Sequence, residues 1–175
     1  MLKIRQAAEN EFDQVRAFYH TLIDTMQTAE YSPKWEKDIY PSNEYLMTSI
    51  QQRELYLGCI DQEIIAAMVI NHAYNESYQQ IDWPTKALPE EVTVLHILGV
   101  RPDFGGKGLA KDMVAYLLSL AKENRQKAVR LDVLKGNLPA EKLYLKMGFT
   151  YIDTIMMYYE DTGWMDFDLY EYKIA

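Results

Sequence analysis

The stretch best equipped for chemistry is Val100-Arg101-Pro102-Asp103-Phe104-Gly105-Gly106-Lys107-Gly108-Leu109-Ala110. Glycines let a backbone come close to a ligand, and a helix that begins just after them offers unpaired N–H groups at the positive end of its dipole. The occupant expected there is a phosphate or a diphosphate. The elements needed to position such a loop flank it. Val92 to Val100 is an apolar run that reads as a buried strand, and Leu109, Met113, Leu117, Leu120 and Ala121 recur at helical spacing. A bare glycine turn that only starts a helix is the alternative.

Two familiar phosphate loops fail on the residues. The P-loop requires Ser or Thr after Gly-Lys, and Gly108 stands there; the dinucleotide fingerprint requires a third glycine where Lys111 stands. The segment instead resembles the [QR]-x-x-G-x-[GA] loop of the GCN5-related N-acetyltransferases (GNAT), with Val100-Arg101-Pro102 as the usual V-x-P lead-in. Gly105 departs from that pattern, standing where Gln or Arg is usual. Downstream, Asn137-Leu138-Pro139-Ala140-Glu141-Lys142-Leu143-Tyr144-Leu145-Lys146-Met147-Gly148-Phe149 is similar to the family's N-x-x-A-x-x-L-Y-x-x-x-G-F.

The resemblance implies an α/β fold with a mixed, mostly antiparallel sheet. About six or seven strands are expected, splayed between the fourth and fifth and flanked by about four helices, in a single domain spanning 1–175. It implies acetyl-CoA as cosubstrate and no metal. Cofactor contacts are expected from the backbone of Leu98 and Val100, from the loop Gly105, Gly106, Lys107, Gly108, Leu109 and Ala110, and from Asn137. Asn137 could also simply cap a helix. Tyr144 is expected as the acid that protonates the leaving thiolate, since a phenol keeps its proton at neutral pH. Many family members carry a Glu just before the L-x-V of the central strand, where this chain has Ile97 preceded by His96. His96 is therefore the candidate base, with a structural histidine as the alternative. Strand alternation is expected to put it on the face of Leu98 and Val100. The activity implied is direct acetyl transfer to a primary amine of a small molecule or peptide; the alternative is a non-catalytic acyl-CoA-binding or regulatory module. A nucleotide-binding domain is a third reading, disfavoured by the two failed motifs.

Composition narrows the classes. A chain of 175 residues, 49% apolar, can bury one sizeable core. No apolar run is long enough to span a membrane, no signal peptide is visible, and the single cysteine, Cys59, excludes multi-cysteine metal sites. These features lead to the expectation of a cytoplasmic location, and the resemblance implies a monomer or homodimer. The net charge of −8 argues against nucleic acid. Its distribution is uneven: from Arg101 to Lys146 there are 10 Lys/Arg and 5 Asp/Glu, so the positive part carries both motifs and suits an anionic cofactor.

In chain order, Leu2–Gln6 alternates as a short strand. Asn10 is a potential N-cap for a helix with Phe12, Val15, Phe18, Tyr19, Leu22, Ile23 and Met26 on its apolar face. A short helix is expected over Asn43–Gln52, burying Tyr45, Leu46, Met47 and Ile50; the resemblance implies that Tyr31, Trp35 and Tyr40 could line an acceptor site, with plain aromatic packing as the alternative. Glu54–Ile60 and Glu63–His72 read as a hairpin holding a buried, inert Cys59, with His72 structural. Ala73–Glu90 reads as a long polar loop. Ala128–Leu134, Thr150–Tyr159 and Phe167–Lys173 complete the strands, and the acidic stretch from Glu160 to Glu171 reads as a solvated loop; the alternative, implied by the resemblance, is that its carboxylates border the acceptor pocket and attract a cationic amine.

Overall fold

The computed structural model describes residues 1–175. Its strands are β1 (Lys3–Gln6), β2 (Leu55–Ile60), β3 (Glu63–Asn71), β4 (Val92–Val100), β5 (Ala128–Leu134), β6 (Thr150–Tyr159) and β7 (Gly163–Lys173), and its helices are α1 (Phe12–Met26), α2 (Asn43–Gln51), α3 (Leu109–Glu123) and α4 (Leu138–Lys146). The strands form one sheet in the order β1-β2-β3-β4-β5-β7-β6. Every neighbouring pair is antiparallel except β4–β5. This is the mixed, mostly antiparallel sheet with four helices that the resemblance implies.

Helices cover both faces. Val15, Phe18, Tyr19 and Leu22 of α1 and Leu46 and Ile50 of α2 pack on Leu55, Leu57, Ala67, Val69 and Ile97. Met113, Val114, Leu117 and Ala121 of α3 and Tyr144 of α4 pack on Ala66, Met68, Leu95, Leu131 and Val133 on the opposite face. The helical periodicity places each apolar stripe on the sheet, and burial of such stripes is the main favourable contribution to the fold.

Several local readings change. Asn10 is not the cap of α1. A 3₁₀ turn over Glu9–Glu11 precedes that helix, and the Glu11 carboxylate accepts the Ala8 N–H at 2.7 Å while Arg5 holds its other oxygen. On α2, Ser42 Oγ accepts the Tyr45 N–H at 3.0 Å, and Met47 is exposed rather than buried. The segment expected as a polar loop after β3 packs a core of its own: Tyr78 and Trp83 are buried on Val92, Val94, Phe167 and Leu169. It is pinned by Arg130, which lies 4.4 Å over the Trp83 ring, pairs with buried Glu171 at 3.0 Å and donates to the Thr85 carbonyl at 2.7 Å. β7 begins at Gly163, so most of the acidic stretch is strand and not loop. Asp168 and Glu171 within it are buried.

Two irregularities in β4 shape the centre of the sheet. Its parallel pairing with β5 ends at Val94–Arg130, so beyond that point the strands separate. Against β3 the register shifts between Ala67–Gly99 and Val69–His96, which leaves one extra residue on β4. Ile97 sits in this bulge at φ +46, a region that a β-branched residue seldom enters.

Candidate active site

The separation of β4 from β5 opens a cavity of about 260 Å³ through the sheet. The bulge decides which side chains face which end. Leu98 and Val100 pack with the α3/α4 cluster, while Ile97 packs with α1/α2. His96 also turns toward α2, its ring 6.4 Å from that of Tyr45. The expectation that His96 shares a face with Leu98 and Val100 is therefore corrected: one extra residue inverts the alternation between them.

The Arg101 N–H donates to Ile65 O on β3 at 2.9 Å. Alternation along the regular end of the strand then points the N–H of Val100 to the other edge, into the gap facing β5, with Leu98 next to the bulge. The carbonyl of Ile97 accepts a buried hydrogen bond from Tyr19 Oη at 2.9 Å. Tyr19 was read from the sequence only as part of an apolar face. Nothing local signals the contact, because the partners are 78 residues apart.

On the α4 side the cavity is lined by Asn137, Ala140, Tyr144 and Val133. Asn137 precedes α4, but its side chain makes no cap hydrogen bond, so capping does not account for it. Tyr144 is buried against Phe149 and Tyr170, with ring centroids 5.5 and 6.4 Å away. Burial, reinforced by Asp132, pushes its phenol well above the ordinary value, so it stays protonated.

A second concavity continues from this end between the glycine loop and α4 and includes Gly105, Gly106, Gly108, Lys111, Lys142 and Lys146 in its lining. The N–H groups of Gly106, Lys107, Gly108, Leu109, Ala110 and Lys111 have no intramolecular acceptor; the first bond of the turn into α3 is Asp112 N–H to Gly108 O at 3.1 Å. Gly106 and Gly108 have φ of +75 and +78, and a Cβ on either would meet open space. Space is tighter at Gly105, where a Cβ would lie 2.9 Å from the Pro102 carbonyl. The 3₁₀ turn Pro102–Phe104 thus excludes the usual longer side chain. Lys107 Nζ lies 4.8 Å over the Phe104 ring, which adds positive charge at the loop. Free amides, close approach and surrounding lysines fit a diphosphate.

On the other face, toward α1 and the β6–β7 turn, the cavity is lined by Trp35, Tyr40, His96, Asp132, Tyr159 and Asp161. Of the three aromatic residues singled out from the sequence, Trp35 and Tyr40 line this cavity, whereas Tyr31 is exposed and lies outside it. Asp132 stands two residues beyond the last β4–β5 pair, on the lip opposite His96. Its Oδ2 accepts from Tyr78 Oη at 2.6 Å and Tyr159 Oη at 2.8 Å. Burial raises its carboxyl, and the two phenols partly offset this. Sequence reasoning missed Asp132. The available signal was an acidic residue in the middle of an otherwise apolar strand end, Leu131-Asp132-Val133-Leu134.

His96 is held by Asn71, whose Oδ1 lies 2.7 Å from Nε2, and burial lowers its imidazole to about 4. Asp161, in the turn after β6, is pushed up to about 6 by burial, and its Oδ1 is buried without a hydrogen-bond partner. His72 is structural, with Nδ1 2.7 Å from Val92 O. Cys59 is buried under α1 and does not line the cavity.

The comparisons with known proteins agree with this architecture. The model of the acetyltransferase (GNAT) family matches residues 16–149. Streptothricin acetyltransferase from Escherichia coli is 27% identical over 146 residues, covering 82% of this chain and 72% of that protein. A GNAT-family acetyltransferase from Streptococcus agalactiae superposes with a TM-score of 0.78 at 20% identity, covering 99% of this chain and 95% of that one. The yncA structure from Salmonella typhimurium, solved with its cofactor acetyl-CoA, superposes with a TM-score of 0.72 at 13% identity, covering 100% and 95%. With its motifs at the splay and the family model spanning most of its length, the chain belongs to the GNAT acetyltransferase family.

Proposed function

We propose that the protein transfers the acetyl group of acetyl-CoA directly to a primary amine. The observation that carries this reading is the single cavity running through the sheet from Tyr144 on one side to Asp132 on the other. Acetyl-CoA supplies an activated thioester. The amides of Gly106 to Lys111 would hold its diphosphate, with Lys111, Lys142 and Lys146 nearby, and the Leu98 and Val100 amides and Asn137 would hold the arm.

The chain's own groups divide the remaining work. The Leu98 N–H, beside the bulge at the gap, would stabilise negative charge that develops on the carbonyl oxygen. Tyr144 keeps its proton until the thiolate leaves, and donates it then. For the proton of the incoming ammonium, Asp132 is the better acceptor than His96. An imidazole at about 4 is a weak base with its Nε2 already taken by Asn71, whereas burial raises the basicity of the Asp132 carboxyl at the lip of the gap. His96 then serves as a neutral wall of the acceptor side, oriented by Asn71. The seclusion of Cys59 supports direct transfer over a cysteine-bound acyl group.

The test is release of free CoA thiol from acetyl-CoA against a panel of primary amines, with Tyr144→Phe and Asp132→Asn alongside. Amine-dependent release lost in both variants is expected. Acetyl-CoA binding without turnover of any amine would favour the non-catalytic module instead.

A further inference from the structure

The acceptor end of the cavity has a charge imbalance that a single amine does not resolve. Asp132 and Asp161 both line it, and no Lys or Arg does. Arg130, two residues before Asp132 on β5, is committed to Glu171 and the Thr85 carbonyl. Asp132 has Tyr78 and Tyr159 as donors on Oδ2, whereas Asp161 leaves a buried oxygen with no donor. Unpaired buried polar atoms are uncommon and costly, and Oδ1 of the half-buried Asp161 is one. Between the two carboxylates stands a set of aromatic rings: Tyr40 packs edge-on against Tyr159 at 5.3 Å, and Trp35 lines the same wall. Both carboxylates act on Tyr40, whose phenol is raised by burial first and then by Asp132 and Asp161 among its neighbours. Glu36 and Glu160 add further negative charge at Asp161.

We propose that the acceptor carries two cationic nitrogens, a reacting amine placed at Asp132 and a second, non-reacting cation seated at Asp161 among Trp35, Tyr40 and Tyr159. The argument rests on the acetyltransfer reading above. A monoamine becomes neutral on giving up its proton and would leave one anion without a counter-charge. A dication leaves its second charge in place throughout, paired with the orphaned Asp161 oxygen, and aromatic faces favour such a cation. Diamines, polyamines and lysine-like side chains adjoining a free amine belong to this class; simple alkylamines and sugars with a single amine do not.

The experiment compares kcat/KM for CoA release with matched acceptors: 1,4-diaminobutane against butylamine, 1,5-diaminopentane against pentylamine, lysine amide against norleucine amide, and spermidine. In the native chain the dications are expected to exceed their monocation partners by about tenfold or more, the worth of one charged hydrogen bond. Asp161→Asn is expected to collapse that ratio to about one, with the change falling in KM. Equal efficiency for dications and monocations, a ratio unaltered by Asp161→Asn, or no turnover of any dication would overturn the inference. Turnover of monoamines alone would leave the acetyltransfer reading standing. A lack of any acetyl-CoA-induced rise in melting temperature in the same samples would overturn both.

Discussion

Removing one hydroxyl from α1 tests whether the bulge in β4 is built for chemistry. Tyr19→Phe keeps the ring contacts with Phe18 at 5.2 Å and Trp35 at 6.0 Å, and deletes only the donor to Ile97 O. Ile97 is held at φ +46, a conformation costing about 1–2 kcal/mol for an L residue with a side chain. The hydroxyl contributes about 1 kcal/mol as a net hydrogen bond, and leaving a buried carbonyl unpaired costs about 1–3 kcal/mol. A loss of about 1–3 kcal/mol is expected, which lowers Tm by about 3–10 °C in a chain of this size. The neighbouring Leu98 amide should also lose its aim, and kcat is expected to fall about tenfold, as misplaced groups commonly cause. Differential scanning fluorimetry and steady-state CoA release read the two effects separately. A Tm within about 1 °C of the native value would refute the claim that this hydroxyl anchors the bulge. A lowered Tm with unchanged kcat would refute the link from bulge to catalysis.

Three further outcomes are expected. Tyr144→Phe should lower kcat about 100-fold with KM for acetyl-CoA little changed, because general acid catalysis is made only in the transition state; stopped-flow thiol detection checks this. Gly108→Ala places a Cβ in open space but at φ +78, so strain alone should cost about 1 kcal/mol, and calorimetric titration should show weaker acetyl-CoA binding. Asp161→Asn should raise stability near pH 7.5. The folded carboxyl lies at about 6, above the ordinary value near 3.8, so its stabilising contribution is complete below about pH 4 and is lost as pH rises through about 6. Since the group is half exposed, the gain from the amide is about 1 kcal/mol at most, and melts at pH 4 should show none. His96, lowered to about 4, has the opposite dependence, losing stability as pH falls from 6.5, but it is common to both chains.

The parts legible in the sequence are those governed by local pattern. The strand, glycine turn and helix around Gly105–Ala110 follow from apolar spacing and glycine chemistry, and α4 follows from Pro139 in its first turn and Gly148 at its end, where φ is +96. What sequence reading missed depends on contacts between distant segments. Ile97 prefers extended backbone, so nothing in Val92–Val100 announces a left-handed residue; the hydroxyl of Tyr19 and the register against β3 impose it. Asp132 looked like one polar position on an alternating strand, and its significance comes from Tyr78 and Tyr159 arriving from elsewhere in the chain. The segment holding Tyr78 read as polar loop because its buried Tyr78 and Trp83 are separated by exposed residues and lack any period. The acidic stretch after β6 read as one solvated unit, but turn and strand divide it: Asp161 faces the cavity while Asp168 and Glu171 are buried in β7.

A crystal structure with CoA is the most direct measurement. The account predicts the diphosphate within hydrogen-bonding distance, about 3 Å, of amides among Gly106–Lys111, and the sulfur in the gap between β4 and β5 beside Leu98 N and Tyr144 Oη. A diphosphate resting away from that corner, or a sulfur outside the gap, would contradict it.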